Sequence, residues 1–265
     1  MSQIDFVAQK PRSFRTLRTL MALILREMST TFGRTAFGYL WAILQPVAGI
    51  ILLTAIFSIA LRKPDLGTSF ALFYATGLLP FLAFLDISGK VALSIEFSRS
   101  LLSFPAVSYL DALLGRLILN TLTQIMVFGL VISATVFIYD QSVAVNYPKI
   151  IFAWFLLTLL SAGVGTFNCY MFLRFPEWER IYSVIRRPLL IISCVFYLYE
   201  VVPPPYSDYL WFNPLIHIVG MIRSSIFFNY DAAYVSPLYV ICFSALPLLI
   251  GMTFLHKNSR DLLYR

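Results

Sequence analysis

Charge is what this sequence has least of. Only 12% of its 265 residues are Asp, Glu, Lys or Arg, against the roughly 25% usual in soluble domains. A water-soluble fold could not hide the rest, because 59% of the residues are hydrophobic and the mean hydropathy is +0.80. Histidine and cysteine are also scarce. His217 and His256 are isolated, and Cys169, Cys194 and Cys242 sit singly in apolar surroundings with no CxxC pair and no Cys/His cluster. That pattern excludes a metal centre and a disulfide framework, and the thiols read as inert core residues. No GxSxG, HExxH or GxxxxGK[ST] sequence occurs, nor a pair of carboxylates with a matching histidine. Catalysis by this chain therefore finds no support, and if ATP drives it, the ATPase is another chain. The N-terminus lacks a short apolar core with a small-residue cleavage site, so no cleaved signal peptide is expected.

In place of charge there are long apolar runs. Residues 35–61, 66–85, 117–139, 150–173 and 232–256 carry no charged side chain. At ~1.5 Å per residue the first exceeds the ~30 Å hydrocarbon core of a bilayer. A further run, 188–199, is too short to span if Glu200 marks its end. It is expected to reach back to Arg186 and Arg187 or on to Val202, where Pro203, Pro204 and Pro205 stop it. The expected fold is an all-α polytopic membrane protein, a single transmembrane domain over residues 1–265. Its six transmembrane helices fall at about 35–61, 68–94, 106–139, 150–173, 186–202 and 233–256.

The basic residues set the orientation. Within 11–30, Phe14, Leu17, Met21, Ile24 and Met28 recur at steps of three and four, flanked by Arg12, Arg15, Arg18 and Arg26. Such a stretch suits an amphipathic helix lying on anionic membrane lipids. With both termini cytoplasmic, all but Arg62, Lys63, Lys149 and Arg223 of the 20 lysines and arginines fall on the inner side. The net charge of +7 then belongs to one membrane face, and no nucleic-acid partner is expected. On the outer side, residues 203–231 are too apolar for a solvated loop yet are interrupted by prolines and Asp208. A re-entrant or interfacial helical hairpin fits them, with Pro214 to Phe228 as one helix. The alternative is a seventh span over 209–229, which would put the C-terminal cations outside.

Polar chemistry concentrates in two cytoplasmic connections. One runs from Lys90 to Arg116 through Glu96, Arg99, Phe104, Pro105 and Asp111. In the other, Pro176 suits the first turn of a short helix carrying Glu177 and Trp178. Each reads either as solvated, topology-setting charge or as a docking surface for a soluble partner. Asp86 and Lys90 are spaced to pair along one helix face. Gln45, Asn120, Gln124 and Asn168 are costly against lipid and read as interhelical hydrogen bonders or as the wall of a polar passage. Aromatics make up 16% of the chain. Tyr39, Trp41, Phe73, Tyr74, Tyr197, Tyr199, Tyr206, Tyr209 and Trp211 cluster toward span ends, either as interfacial anchors or as a lining suited to a sugar polymer.

Leu25-Arg26-Glu27, Phe32-Gly33-Arg34 and Gly38-Tyr39-Leu40-Trp41-Ala42-Ile43-Leu44-Gln45-Pro46 resemble the opening of ABC transporter permeases of the type-2 exporter class. Within it they are most similar to the capsular-polysaccharide branch, the KpsM-like inner-membrane subunits. Gly77-Leu78-Leu79-Pro80-Phe81, Phe175-Pro176-Glu177 and Trp211-Phe212-Asn213-Pro214-Leu215, with His217 and Arg223, agree in order. The resemblance implies a homodimer working with two copies of a separate ATPase that binds ATP and Mg, while this chain holds no cofactor of its own. It implies a channel between the permeases, with Tyr39, Trp41, Phe73, Tyr74, Tyr197, Tyr199, Tyr206 and Trp211 as lining candidates. The substrate would be a lipid-linked polysaccharide moved across the bacterial inner membrane. Arg26 and Arg34 would meet its lipid phosphate. Glu96, Arg99, Phe104, Pro105, Glu177 and Trp178 would couple to the ATPase. The outer segment would face a periplasmic co-polymerase or adaptor that leads to an outer-membrane exporter. O-antigen or teichoic acid export is the nearest alternative. A secondary transporter would need an internal repeat, and an intramembrane enzyme would need a catalytic constellation; neither is found.

Overall fold

The computed structural model describes residues 15–31, 38–102, 107–140 and 143–263, and every regular element among them is a helix. In chain order these are α1 (Arg15–Thr31), α2 (Gly38–Ala60), α3 (Phe70–Ala92), α4 (Ser94–Phe97), α5 (Arg99–Leu102), α6 (Tyr109–Ile138) and α7 (Tyr147–Arg174). Then follow α8 (Pro176–Ile192), a 3-10 turn (Tyr199–Val201), α9 (Tyr206–Trp211), α10 (Pro214–Ile226) and α11 (Pro237–Leu263). Five of them, α2, α3, α6, α7 and α11, are long and apolar enough to cross a membrane. With 23 residues, α3 is about 34 Å long.

Local chemistry marks the helix starts. A capping box opens α6, where Asp111 N–H donates to Ser108 Oγ (3.2 Å) and Ser108 N–H returns a bond to Asp111 Oδ2 (3.0 Å). Asn146 caps α7 by accepting from Lys149 N–H, with Pro148 in the first turn. Asn213 caps α10 by accepting from Leu215 N–H, and Pro214 leads that helix.

The core lies around α3 and α7. Of the apolar window of α3, 78% is buried within the subunit, against 11% for α2. Close approach between helices depends on glycines of α7 and α11. A Cβ on Gly163 would lie 2.3 Å from the Ser244 carbonyl oxygen, and one on Gly251 would strike the Phe167 backbone. By contrast, α8 buries no residue at all. Two ends of the bundle can be named from these contacts. At the lower end α3 stops, α6 starts and α11 returns, with Tyr109 Oη and His256 Nδ1 sharing a hydrogen bond at 3.2 Å. At the upper end Asn146 N–H donates to the Ser225 carbonyl, tying α10 to the start of α7.

The expected fifth crossing and the alternative seventh span both meet different facts. The expected crossing at 186–202 is not one helix. The helix begins earlier, at Pro176, and stops at Ile192, well before the prolines. Cys194 adopts a left-handed backbone (φ 53°), which ends it. On α1, Met21 and Met28 of the apolar stripe stay exposed, while Leu23 and Glu27 turn inward onto α6 beside Gly115. In the outer segment α10 has 13 residues, about 20 Å, and is buried along nearly its whole length. The break at Phe212–Asn213 separates it from α9, so 209–229 is not a single helix.

Candidate coupling and transport sites

At the lower end a buried arginine gathers three elements. Arg116 of α6 donates from Nε to Glu27 Oε1 on α1 at 2.8 Å and from Nη1 to the Lys90 carbonyl of α3 at 2.9 Å. Its guanidinium lies 4.3 Å from the centroid of Phe97 on α4, and Arg26 of α1 approaches the same ring at 5.5 Å. Asn120 completes the node, its side-chain Nδ2 donating a hydrogen bond to the Arg116 carbonyl (2.7 Å) and a longer one to Glu27 Oε1 (3.5 Å). One turn away, Lys90 pairs with Asp86 at 3.0 Å, and Gln124 donates to the same carboxylate at 2.8 Å. Beyond Phe97, Glu96 and Arg99 point outward while Ile95 and Leu102 anchor the turn in the core.

The upper end is organised by Arg223 of α10, which is 1% exposed. Its Nη1 donates to the Cys194 and Tyr197 carbonyls (2.8 and 3.0 Å) and its Nη2 to the Val195 carbonyl (2.8 Å). The guanidinium rests on Phe73 at 4.4 Å. Gly77 leaves the room, because a Cβ there would come within 2.9 Å of both Arg223 Nη2 and the Val195 oxygen. Arg223 thus satisfies carbonyls of the non-helical turn that follows α8. Farther out, Tyr230 donates to both Glu200 carboxylate oxygens (3.0 and 3.1 Å). Burial, above all, holds the Tyr230 phenol above its ordinary pKa, so it remains a donor. His217 is locked as a neutral tautomer. Its Nε2 donates to the Trp211 carbonyl (2.9 Å) and its Nδ1 accepts from Ser236 N–H (3.1 Å).

The residues singled out by sequence divide accordingly. Glu96, Arg99 and Glu177 are exposed. Trp178 turns inward instead, donating its indole N–H to Asn168 Oδ1 at 2.9 Å. Arg26 is half-buried beside Phe97. Arg34, Phe104 and Pro105 lie outside the described residues, as does the side chain of Tyr39. For Phe73 and Tyr74 the lining expectation needs correction. Both are 1% exposed and packed within the subunit, Phe73 under Arg223 and Tyr74 against Phe57 and Phe70, so neither reaches a surface. Tyr197, Tyr199 and Trp211 are half-buried and spend their polar atoms on the Ile191, Ser207 and Tyr234 carbonyls. Trp41 and Tyr206 are open, at 62% and 66% exposure. Cys242, expected in the core, is exposed on α11. It lines an apolar groove of about 620 Å³ between α8 and α11, with Trp178, Tyr182, Tyr239 and Phe243. Sequence reasoning missed Glu27 as a buried ion-pair partner, and it counted Arg223 among the outer-side charges with no buried role. The matching signal was a lone acid on an otherwise basic helix.

The described residues thus form a bundle of apolar helices with a polar node at each of its two ends. A family described as ABC-2 type transporter matches residues 18–227, and the chain belongs to it. It is therefore a membrane component of an ATP-driven transporter whose ATPase is a separate partner. The polysialic acid transport protein KpsM of Escherichia coli is 31% identical over 245 residues, covering 92% of this chain and 95% of that one. Capsule polysaccharide export inner-membrane proteins are also similar. CtrC of Neisseria meningitidis serogroup B and BexB of Haemophilus influenzae are each 25% identical over 248 residues, with 92% of both chains covered.

Proposed function

We propose that this chain is the permease of an exporter that carries a lipid-linked capsular polysaccharide across the bacterial inner membrane, powered by a separate ATPase. The observation that carries this reading is the near full-length likeness to transport proteins for capsule and polysialic acid. Two copies pair and hold a channel between them, and two ATPase copies bind below. Support for pairing comes from the faces left open on the subunit. On α2 these include Leu40, Trp41, Leu44 and Gln45, and on α8 Ile181, Val184 and Ile185. An exposed Gln45 in an apolar helix favours a protein or aqueous neighbour over lipid.

In this reading both termini are cytoplasmic, the lower end is the inner face, and α1 lies along the inner leaflet. Six crossings result when α8 and the turn that follows it are counted as the fifth passage, with α10 left to the outer segment. Glu96, Arg99 and Glu177 meet the ATPase. Arg26, with Arg34, receives the lipid phosphate at the inner mouth, since guanidinium groups bind phosphate through paired donors. Trp41 and Tyr206 are the lining candidates still open to a passage. The outer segment 203–231 forms the lid and faces a periplasmic adaptor that leads to an outer-membrane exporter. Cells lacking this chain test the function directly. Lipid-linked polymer is expected to accumulate in the cytoplasm and to reach the surface again when the chain is restored with its ATPase. Normal surface polymer in the deleted cells would refute the reading.

A further inference from the structure

Glu27 and Arg116 touch neither the surface proposed for the ATPase nor the one proposed for the substrate, yet they join the two. Among the described side chains of α1 only Leu23 and Glu27 are fully buried, and Glu27 is the one of the two that carries a charge. It is 4% exposed, and Arg116 is 8% exposed. From that position Arg116 reaches α1 through Glu27, the end of α3 through the Lys90 carbonyl, and α4 through the face of Phe97. Phe97 also receives Arg26 from α1, and its neighbours Glu96 and Arg99 face outward. A charge pair shielded from water is stiff, because separating it strands both ions in a low-dielectric site. We propose that the Glu27–Arg116 pair is a positioning link that makes the docking turn around Phe97 and helix α1 move as one body. Motion imposed on the turn by the ATPase is thereby delivered to α1, where Arg26 sits. This rests on the exporter reading above.

The test uses the permease–ATPase complex reconstituted in lipid vesicles, with Glu27→Gln and Glu27→Asp beside the parent. Three quantities are read: ATPase co-purified, ATP hydrolysed, and polymer moved per ATP. Glu27→Gln is expected to keep assembly and hydrolysis while polymer moved per ATP falls roughly fivefold to tenfold. Glu27→Asp, which keeps the charge, is expected to recover most of that loss. An unchanged yield per ATP in Glu27→Gln, or a loss no greater than the loss of assembled complex, would overturn the link. A second readout places spin labels at Met21→Cys and Leu93→Cys in a Cys242→Ser background. Their separation is expected to stay fixed on ATP binding in the parent and to change in Glu27→Gln; an ATP-driven change of equal size in both would also overturn it. If no ATPase accompanies the parent chain at all, the exporter reading fails first, and that outcome is distinct from an assembled complex with intact coupling.

Discussion

Two buried arginines hold the two ends of this molecule, and only one of them has a carboxylate partner among the described residues. Arg116 has a carboxylate, Glu27, at 2.8 Å. Arg223 has no ion pair among the described residues and is held by three backbone carbonyls and an aromatic face. A side-chain partner can be exchanged by mutation, whereas a backbone partner cannot. The lower node therefore ties three separate elements, α1, α3 and α4, into a unit that can move together. The upper clamp fixes a single bend, the non-helical turn after α8, and suits a rigid frame around which the outer segment is built.

That contrast can be broken most severely at Arg223. Replacing it with Leu strands the Cys194, Val195 and Tyr197 carbonyls, and a loss of about 4 kcal/mol or more is expected. Thermal unfolding of the detergent-solubilised protein measures it. Arg223→Lys is expected to fail almost as badly, because one ammonium cannot reproduce the planar fork that serves three carbonyls. At the other node, Glu27→Ala or Arg116→Ala alone is expected to cost about 3–5 kcal/mol by orphaning the remaining charge. The double replacement Glu27→Leu with Arg116→Met is expected to recover most of that stability in the same melt, yet not export. No such double variant exists for Arg223, and its absence is the sharpest expression of the difference.

Much of this architecture is legible in the sequence. Long uncharged runs fall on α2, α3, α6, α7 and α11 because a membrane span must be apolar over its whole length. The same uniformity hides which way a side chain faces. Phe73 and Tyr74 read as lining candidates because they are aromatics near a span end, and only the fold shows them packed inside the subunit. Nor does anything local mark the end of α8. The stop at Cys194 is completed by Arg223, 29 positions away, while the charges of α8 made its first half look like a loop. Glu27 and Arg116 are 89 positions apart, beyond any periodicity argument.

Smaller effects sharpen the account between the two ends. Gly163→Val forces α7 off the Ser244 carbonyl and is expected to cost about 1–3 kcal/mol without touching either arginine. Trp178→Phe removes one bond to Asn168, so about 1 kcal/mol is expected, with recovery of the ATPase in pull-downs unchanged. Glu177→Lys is expected to do the reverse, leaving the melting temperature alone while reducing the ATPase recovered.

Everything here turns on a transport path that has no energy source of its own. Sealed vesicles containing this chain, with and without the ATPase, can be offered lipid-linked polysaccharide on the cytoplasmic side, and polymer protected inside the vesicles then measured. Protected polymer is predicted only when both proteins are present and ATP is hydrolysed. Accumulation by this chain alone, driven by an ion gradient or by none, would contradict the account.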